Sequence, residues 1–260
     1  MQHYSLLDYF VLSQLSAFLL IFCRIGSSML ALPGFSETYV STRLRLLLAV
    51  GMSIMLTPFL QPRMPLLPSQ PGDLLVLIAG EVLIGLFLGL VVRMLLSVVH
   101  VAGNIIATQS SLAVAAAFDP TSANQSAIMG NMLSIMALTM FFTLNLHHLM
   151  IAAVVDSYDV FKVGLFPSTE DMNVLNVRMM ADSFRLGVIL AGPHIAYSLL
   201  FYLAGGLMSR LMPNFQIFFV MIPLQILIAL FLFLAILPTL MDVFTNFTQS
   251  QLMNLVGGGL

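Results

Sequence analysis

Two ionisable side chains, Glu81 and Arg93, stand inside one apolar stretch of this 260-residue sequence, where a charge is costly. A carboxylate in such a helix can relay protons or can form a buried ion pair that holds helices together. The two residues are twelve positions apart, which is roughly 18 Å along a helix at 1.5 Å per residue. They therefore cannot pair with each other, and each needs another partner, such as Arg24 for Glu81. Both interpretations, relay and ion pair, stay open at this point.

The histidines and serines form no pattern that indicates an enzyme or a metal site. His147 and His148 are adjacent, so on a helix their side chains point about 100° apart and cannot form the i, i+4 metal pair of metalloproteases. His100 and His194 are isolated, and no serine lies in a nucleophile-elbow pattern. A glycine-rich phosphate loop is also absent from the sequence. We therefore expect no enzyme activity, no metal and no cofactor.

The composition predicts an integral membrane protein. The chain is 60% hydrophobic and 8% charged, with a mean hydropathy of +1.03, whereas soluble domains carry about 25% charged residues. The net charge of −2 offers no basic surface for nucleic acid. The single cysteine, Cys23, cannot form an internal disulfide.

Six apolar segments are long enough for helices that cross a bilayer, which takes about 20 residues. They cover about 10–32, 43–60, 74–99, 126–155, 184–208 and 214–240. A polar cap at 156–182 and a tight turn at 209–213 separate the later segments, and the turn predicts an antiparallel hairpin of the last two helices. The sequence thus predicts an all-α membrane protein with a single integral membrane domain, residues 1–260.

The stretch 103–125 suits neither lipid nor bulk water, because it is rich in small residues, carries amides and holds one charge. Such backbone is tolerated at membrane depth only where protein buries it or where it borders water. We therefore predict a re-entrant-like loop at about 104–122 that lines or closes a passage. Its candidate residues are Asn104, Gln109, Ser110, Leu112, Phe118, Asp119 and Pro120. Ser122 and Gln125 have capping-box spacing, which predicts the start of the next helix.

Two stripes on the predicted helices indicate helix contacts. Gly85 and Gly89 form a G-x-x-x-G pattern that lets another helix approach closely. The second stripe consists of methionines on one face of the following helix: Met129, Met132, Met136 and Met140. Methionine is deformable, so this stripe either packs against a neighbour or forms a constriction. Gly192-Pro193 either kinks the fifth helix or breaks it to line a cavity.

Motifs along the chain, from about residue 10 to 245, match those of one known family. They are Arg24 and Pro33, Arg43 and Arg45, Glu81-x3-Gly85-x3-Gly89, Ala102-Gly103, Gln109, Phe118-Asp119-Pro120, Asn145 and His147, and Arg210-Leu-Met-Pro213-Asn-Phe-Gln216 continuing to Pro223. Together they resemble the FliR family, an export-gate subunit of flagellar and virulence-type type III secretion machinery. The sequence departs from the family pattern at Leu146, where glycine usually precedes the histidine, and at Ser110-Ser111, where glycine often follows the glutamine.

The resemblance implies partners and a mechanism. FliR-like proteins assemble with FliP and FliQ into a helical gate in the bacterial inner membrane at the flagellar basal body, in contact with FlhB and near FlhA. Unfolded flagellar proteins pass through this gate, driven by the ion motive force, and the central loop plugs the pore. The intramembrane charges and motif residues would then serve assembly: Arg24, Glu81, Gly85, Gly89, Arg93, Arg210, Pro213, Gln216 and Pro223.

Three alternatives remain. A virulence-type gate subunit would share the same motifs. A small-molecule secondary transporter would use the loop and a broken fifth helix to bind substrate, and would be expected to show a repeat between halves, which the sequence lacks. A purely structural membrane scaffold would tolerate deletion of the loop without leakage.

Overall fold

The fold is described from a computed structural model, over residues 6–65, 70–112, 128–164, 169–212 and 217–256. These residues form seven α-helices: α1 Leu6–Ala31, α2 Thr42–Leu60, α3 Pro71–Gln109, α4 Ile128–Thr143, α5 Leu146–Val160, α6 Thr169–Leu211 and α7 Ile217–Val256. A short 3₁₀ turn, Gln61–Arg63, follows α2. Because no strand occurs within these ranges, the predicted all-α fold is confirmed.

Five helical stretches are long and apolar enough to cross a membrane: Ser13–Ala31, Thr42–Arg63, Pro71–Gln109, Glu170–Leu211 and Phe219–Val256. The pair α4 and α5, bent by 76° at a short break, counts as a sixth candidate. The prediction of about six long apolar helices is therefore confirmed by length and composition. Three of them, α3, α6 and α7, have 39, 43 and 40 residues, roughly 60 Å each at 1.5 Å per residue, about twice the hydrocarbon core of a bilayer.

The third helix is longer than predicted, which corrects the predicted loop. The sequence predicts its end near residue 99, whereas α3 runs to Gln109, so Asn104 and Gln109 are helical and not part of a loop. Helix continues here because Gly103 and Ala107 are small and buried, which lets α3 pack tightly against its neighbours. The remainder of the predicted loop, 113–122, lies outside the described residues.

Two other predicted boundaries are also wrong. The predicted helix 126–155 is interrupted at Leu144 and Asn145, because Asn145 has a φ of 57°, a left-handed conformation that asparagine tolerates better than most residues. The helix predicted at 184–208 begins earlier, because α6 starts at Thr169, within the predicted polar cap 156–182. Glu170 and Asp171 in the first turn favour this start, since acidic side chains stabilise a helix N-terminus.

The last two helices pass through prolines without a break. Pro193 lies within α6, and Pro223 and Pro238 lie within α7. The interpretation of Gly192-Pro193 as the break of a discontinuous helix is therefore wrong.

The helices group into two compact units, to both of which α3, α6 and α7 contribute. The first unit comprises Met1–Met94, Asn145–Met179 and Ser250–Leu260, and the second comprises Leu95–Leu144 and Met180–Gln249. In the first unit, the buried face of α1 packs on α3, and Phe87 meets Phe161 edge-on with ring centroids 6.2 Å apart.

In the second unit, close glycine contacts join α3 to two other helices. A Cβ on Gly103 would lie 2.5 Å from the Cα of Gly130 in α4, and a Cβ on Gly187 in α6 would lie 2.9 Å from the carbonyl oxygen of Val98. The helices α6 and α7 form the predicted antiparallel hairpin, since Gly205 lies beside Met221 and His194 packs on Phe233. These contacts hold the C-terminal part of α3 within the unit.

Candidate functional site

A buried ion pair joins α1 and α3 in the first unit. The Arg24 Nε donates to Glu81 Oε2 at 2.6 Å, and Arg24 Nη2 donates to Glu81 Oε1 at 2.9 Å. The two side chains are 0% and 2% exposed. Such a two-bond fork is the strongest geometry available to an arginine and a carboxylate. The pairing named from the sequence is therefore present, and a role of the pair in assembly stays a prediction.

The remaining donors of Arg24 connect the pair to the end of α5. Nη2 also donates to the carbonyl oxygen of Phe161 at 2.9 Å, and Nη1 donates to the Ser157 hydroxyl at 3.1 Å. The guanidinium carbon lies 3.9 Å from the centre of the Tyr158 ring. Because the C-terminus of a helix carries partial negative charge, a cation placed there is stabilising. Arg24 thus ties three helices together at one buried point.

The G-x-x-x-G pattern continues the same α1–α3 contact. A Cβ on Gly85 would collide with the Ser27 hydroxyl and the backbone oxygen of Arg24, and a Cβ on Gly89 would lie 2.7 Å from the oxygen of Ser28. The glycines are therefore required for the close approach that brings Glu81 within reach of Arg24.

Arg93 does not belong to this cluster. Its side chain is exposed, and within the described residues it forms no ion pair of 4.0 Å or less. The sequence predicts that Arg93 needs a partner. No carboxylate in the described part of the chain forms an ion pair with it.

A second polar cluster surrounds the last residue of α3. The Ser198 hydroxyl donates to Gln109 Oε1 at 2.5 Å, and Gln225 Nε2 donates to the backbone oxygen of Gln109 at 2.9 Å. The Tyr197 hydroxyl donates to the backbone oxygen of Gln225 at 3.1 Å. The last carbonyl groups of a helix lack partners within the helix, so Gln225 satisfies one of them from α7.

The two serines after Gln109 end the helix. The Ser110 hydroxyl donates to the oxygen of Ile106 at 2.6 Å, and Ser111 adopts a φ of 56°. A left-handed residue commonly ends a helix and is usually glycine, so Ser111 takes a conformation that glycine adopts at lower cost. The Ser111 hydroxyl lies 3.5 Å from the Tyr202 hydroxyl. Leu112, half-buried, follows and leads into residues 113–127.

Several predicted site residues lie outside the described residues. They are Phe118, Asp119, Pro120, Pro213 and Gln216. Their roles stay predictions from the sequence and the resemblance.

The methionine stripe lies at the edge of the buried face of α4. The fully buried residues of that face are Leu133, Ala137 and Phe141, and Phe141 packs on Phe244 with centroids 6.2 Å apart. Of the stripe, Met129 is 9% and Met132 is 37% exposed, and Met136 and Met140 are half-buried. Leu133, Ala137 and Phe141 are therefore more buried than any methionine of the stripe.

Two motif residues at the hairpin are exposed. Arg210 lies in the last turn of α6, where a cation complements the negative helix end. Pro223 lies within α7. Within the described residues, neither forms a hydrogen bond with the polar cluster at Gln109. In the same ranges, no three His, Cys, Asp or Glu side chains lie close enough to hold a metal.

Sequence reasoning named Arg24 as a partner for Glu81 but did not identify the other partners of the predicted residues. Gln225 is a polar residue in the charge-free stretch between Arg210 and Asp242, which signals a need for a partner because buried amides in membrane helices are usually paired. No sequence signal connects it to Gln109, which is 116 positions away, or connects Arg24 to Phe161.

Comparison with known proteins decides the family. The family described as "Bacterial export proteins, family 1" matches residues 15–251. A protein named "Flagellar biosynthetic protein FliR" from Caulobacter vibrioides is 38% identical over 227 residues, which is 87% of this chain and 90% of the relative. The chain belongs to the FliR family.

FliR proteins of two other bacteria match over a similar extent. The protein from Escherichia coli K12 is 28% identical over 94% of this chain and 93% of its own length. The protein from Bacillus subtilis is 29% identical over 93% of this chain and 96% of its own length. The FliR family is a family of membrane export components and not of enzymes, and the resemblance identified from the motifs is confirmed.

Proposed function

We propose that this chain is a subunit of the flagellar type III protein export gate. With FliP and FliQ it forms the channel that passes unfolded flagellar proteins across the bacterial inner membrane, in contact with FlhB and near FlhA. The observation that carries this proposal is the match to the Caulobacter FliR protein over nearly the full length of both chains. The three relatives named above carry flagellar names, which favours the flagellar over the virulence alternative.

The polar cluster at Gln109 supports a plug that is held at its base. Hydrogen bonds from Ser198 and Gln225 hold the end of α3 at Gln109. Residues 113–127 follow shortly after this point in the chain. Five small or β-branched residues, 113–117, would form the body of the plug together with Phe118, and Asp119-Pro120 would be its hinge. Small side chains offer little surface for adhesion, so a passing substrate displaces them readily.

The buried pair of Arg24 and Glu81 supports a structural use of charge. A carboxylate held by two arginine donors has its charge compensated in place, whereas a relay group must exchange its proton with water. We therefore propose that the pair serves assembly of the gate subunit.

Co-purification tests the proposed function. A tagged chain, extracted in mild detergent from cells with an intact flagellar system, is expected to bring down FliP-like and FliQ-like membrane proteins in fixed ratio. Loss of the gene is expected to abolish motility and secretion of flagellar proteins. Recovery of the chain alone, with a saturable small-molecule substrate, would instead support a secondary transporter.

A further inference from the structure

The C-terminal part of α3 carries a polar stripe that neither polar cluster described above uses. Ser97, His100, Asn104 and Thr108 follow one another at spacings of three, four and four residues, so they share one face of the helix. Between residues 95 and 109 every exposed position is polar, namely Ser97, His100 and Thr108, and Asn104 between them is half-buried. The stripe interrupts a helix that is otherwise long and apolar enough to cross a membrane.

Other exposed faces of the same unit have the opposite chemistry. On α6, Leu199 and Leu203 are 63% and 60% exposed, and on α7, Phe231 is 66% exposed. Leucine and phenylalanine at such positions suit lipid or an apolar subunit. A histidine or asparagine side chain exposed to the hydrocarbon of a bilayer is unfavourable, because polar groups there lack hydrogen-bond partners.

The stripe extends toward the start of α4. Asn104 Oδ1 and His100 Nδ1 lie 3.0 and 3.2 Å from the position that a Cβ on Gly130 would occupy. The missing side chain of Gly130 therefore leaves room for both polar groups beside α4. Asn131, the next residue of α4, is also polar and exposed.

We infer that this stripe, Ser97 to Thr108 on α3, forms part of the water-filled wall along which the exported polypeptide moves. The inference rests on the proposed function, since it assigns a surface of this chain to the passage. Serine, threonine, histidine and asparagine side chains stay hydrated beside an extended chain and exchange hydrogen bonds with its backbone without regard to its sequence. An apolar wall would bind unfolded hydrophobic segments and slow their transit.

Cysteine accessibility in the assembled complex tests the inference. The native cysteine is first replaced by Cys23→Ala, and Ser97→Cys, His100→Cys and Thr108→Cys are then made singly. The serine and threonine exchanges change little volume, so they report even if the histidine variant fails to assemble. Leu199→Cys and Leu203→Cys on α6 are the exposed apolar controls, and Val98→Cys, on a 0% exposed site, is the buried control. A membrane-impermeant methanethiosulfonate is applied from the periplasmic side of cells and from the cytoplasmic side of inverted vesicles.

If the stripe faces water, we expect Ser97→Cys and Thr108→Cys to react with the methanethiosulfonate at least about tenfold faster than the leucine controls from one side. The reason is that the hydrated thiolate is the nucleophile that attacks the reagent. An export substrate stalled by a folded fusion domain is expected to slow that reaction severalfold and to leave the control rates unchanged. Reaction no faster than the leucine controls from either side would overturn the inference, whether lipid or another subunit covers the stripe. Fast reaction that a stalled substrate does not slow would also overturn it, because the stripe would then face bulk water. Co-purification of FliP-like and FliQ-like proteins with the Cys23→Ala chain is measured in parallel, so that failure of the proposed function is recognised separately.

Discussion

Arg24 and Glu81 face each other in a two-bond fork with donor–acceptor distances of 2.6 and 2.9 Å, sealed from solvent between α1 and α3. The same guanidinium donates to the carbonyl oxygen of Phe161, the residue that follows the last turn of α5. Four of its five N–H groups are therefore used. Removing either charge would leave the other buried and unpaired, which is far more costly than the loss of an exposed pair.

Glu81→Gln is expected to reduce recovery of the assembled complex severalfold, since breaking a buried ion pair costs about 3–5 kcal/mol. Export per recovered complex should stay near the wild-type value. Quantitative co-purification and secretion assays measure the two quantities. Asp159→Asn is the matched control, because it breaks the Arg63–Asp159 pair, whose side chains are 48% and 62% exposed, and exposed pairs contribute about 0–1 kcal/mol. Full recovery of complex with lost export would support a proton relay instead.

Gly85→Ala is expected to lower the thermal stability of the purified complex by about 1–3 kcal/mol, the usual cost of overpacking. The added methyl group would meet the backbone oxygen of Arg24, which cannot move aside by a change of rotamer. Gly51→Ala in α2 is the control, because no atom lies within 4 Å of its added Cβ, and this change should stabilise the helix by about 0.5–1 kcal/mol. Equal melting temperatures for the two variants would contradict the close α1–α3 contact.

Gln225→Leu is expected to increase ion leakage through the resting gate. The change removes the donor to the Gln109 carbonyl and leaves that part-buried oxygen without its partner from α7, at a cost of about 1 kcal/mol. The end of α3 would then hold the following segment less firmly. Conductance across vesicles and growth under ionic stress measure the effect, with Ser209→Ala on the exposed surface of α6 as control. A leak equal to that of the control would show that this anchor does not set closure.

Deletion of residues 113–117 is expected to leave assembly intact and to raise ion leakage. The deletion begins after Leu112, so it spares Gln109 and the hydrogen bonds that end α3. Replacement of the same five residues by a glycine–serine segment of equal length is the control, and it should leak less than the deletion because it still fills the passage. A fully assembled deletion complex with wild-type tightness would reject the plug and favour a purely structural role.

The family assignment and the location of the helices follow largely from local sequence. Runs of apolar residues interrupted at Pro33-Gly34 and at the prolines of 61–73 are enough to locate α1 to α3, since a membrane helix must satisfy its own backbone and so needs a continuous apolar segment. Boundaries that depend on packing were predicted less well. Gly103 and Ala107 are small residues in the stretch that the sequence predicts as a loop, yet both lie in α3, where Gly103 packs closely on Gly130 of α4.

The sequence by itself determined that Glu81 needed a partner, that Gly85 and Gly89 favoured a close helix contact, and that the chain belongs in a membrane. Only the tertiary structure decided that Arg24 reaches Glu81 and Phe161 together, that Gln225 holds the end of α3, and that the exposed positions of residues 95–109 are polar. The physical reason is that local patterns depend on neighbours within one or two helical turns. Which side chain satisfies a buried charge or carbonyl, by contrast, depends on residues 57 to 137 positions away that packing brings within 3 Å.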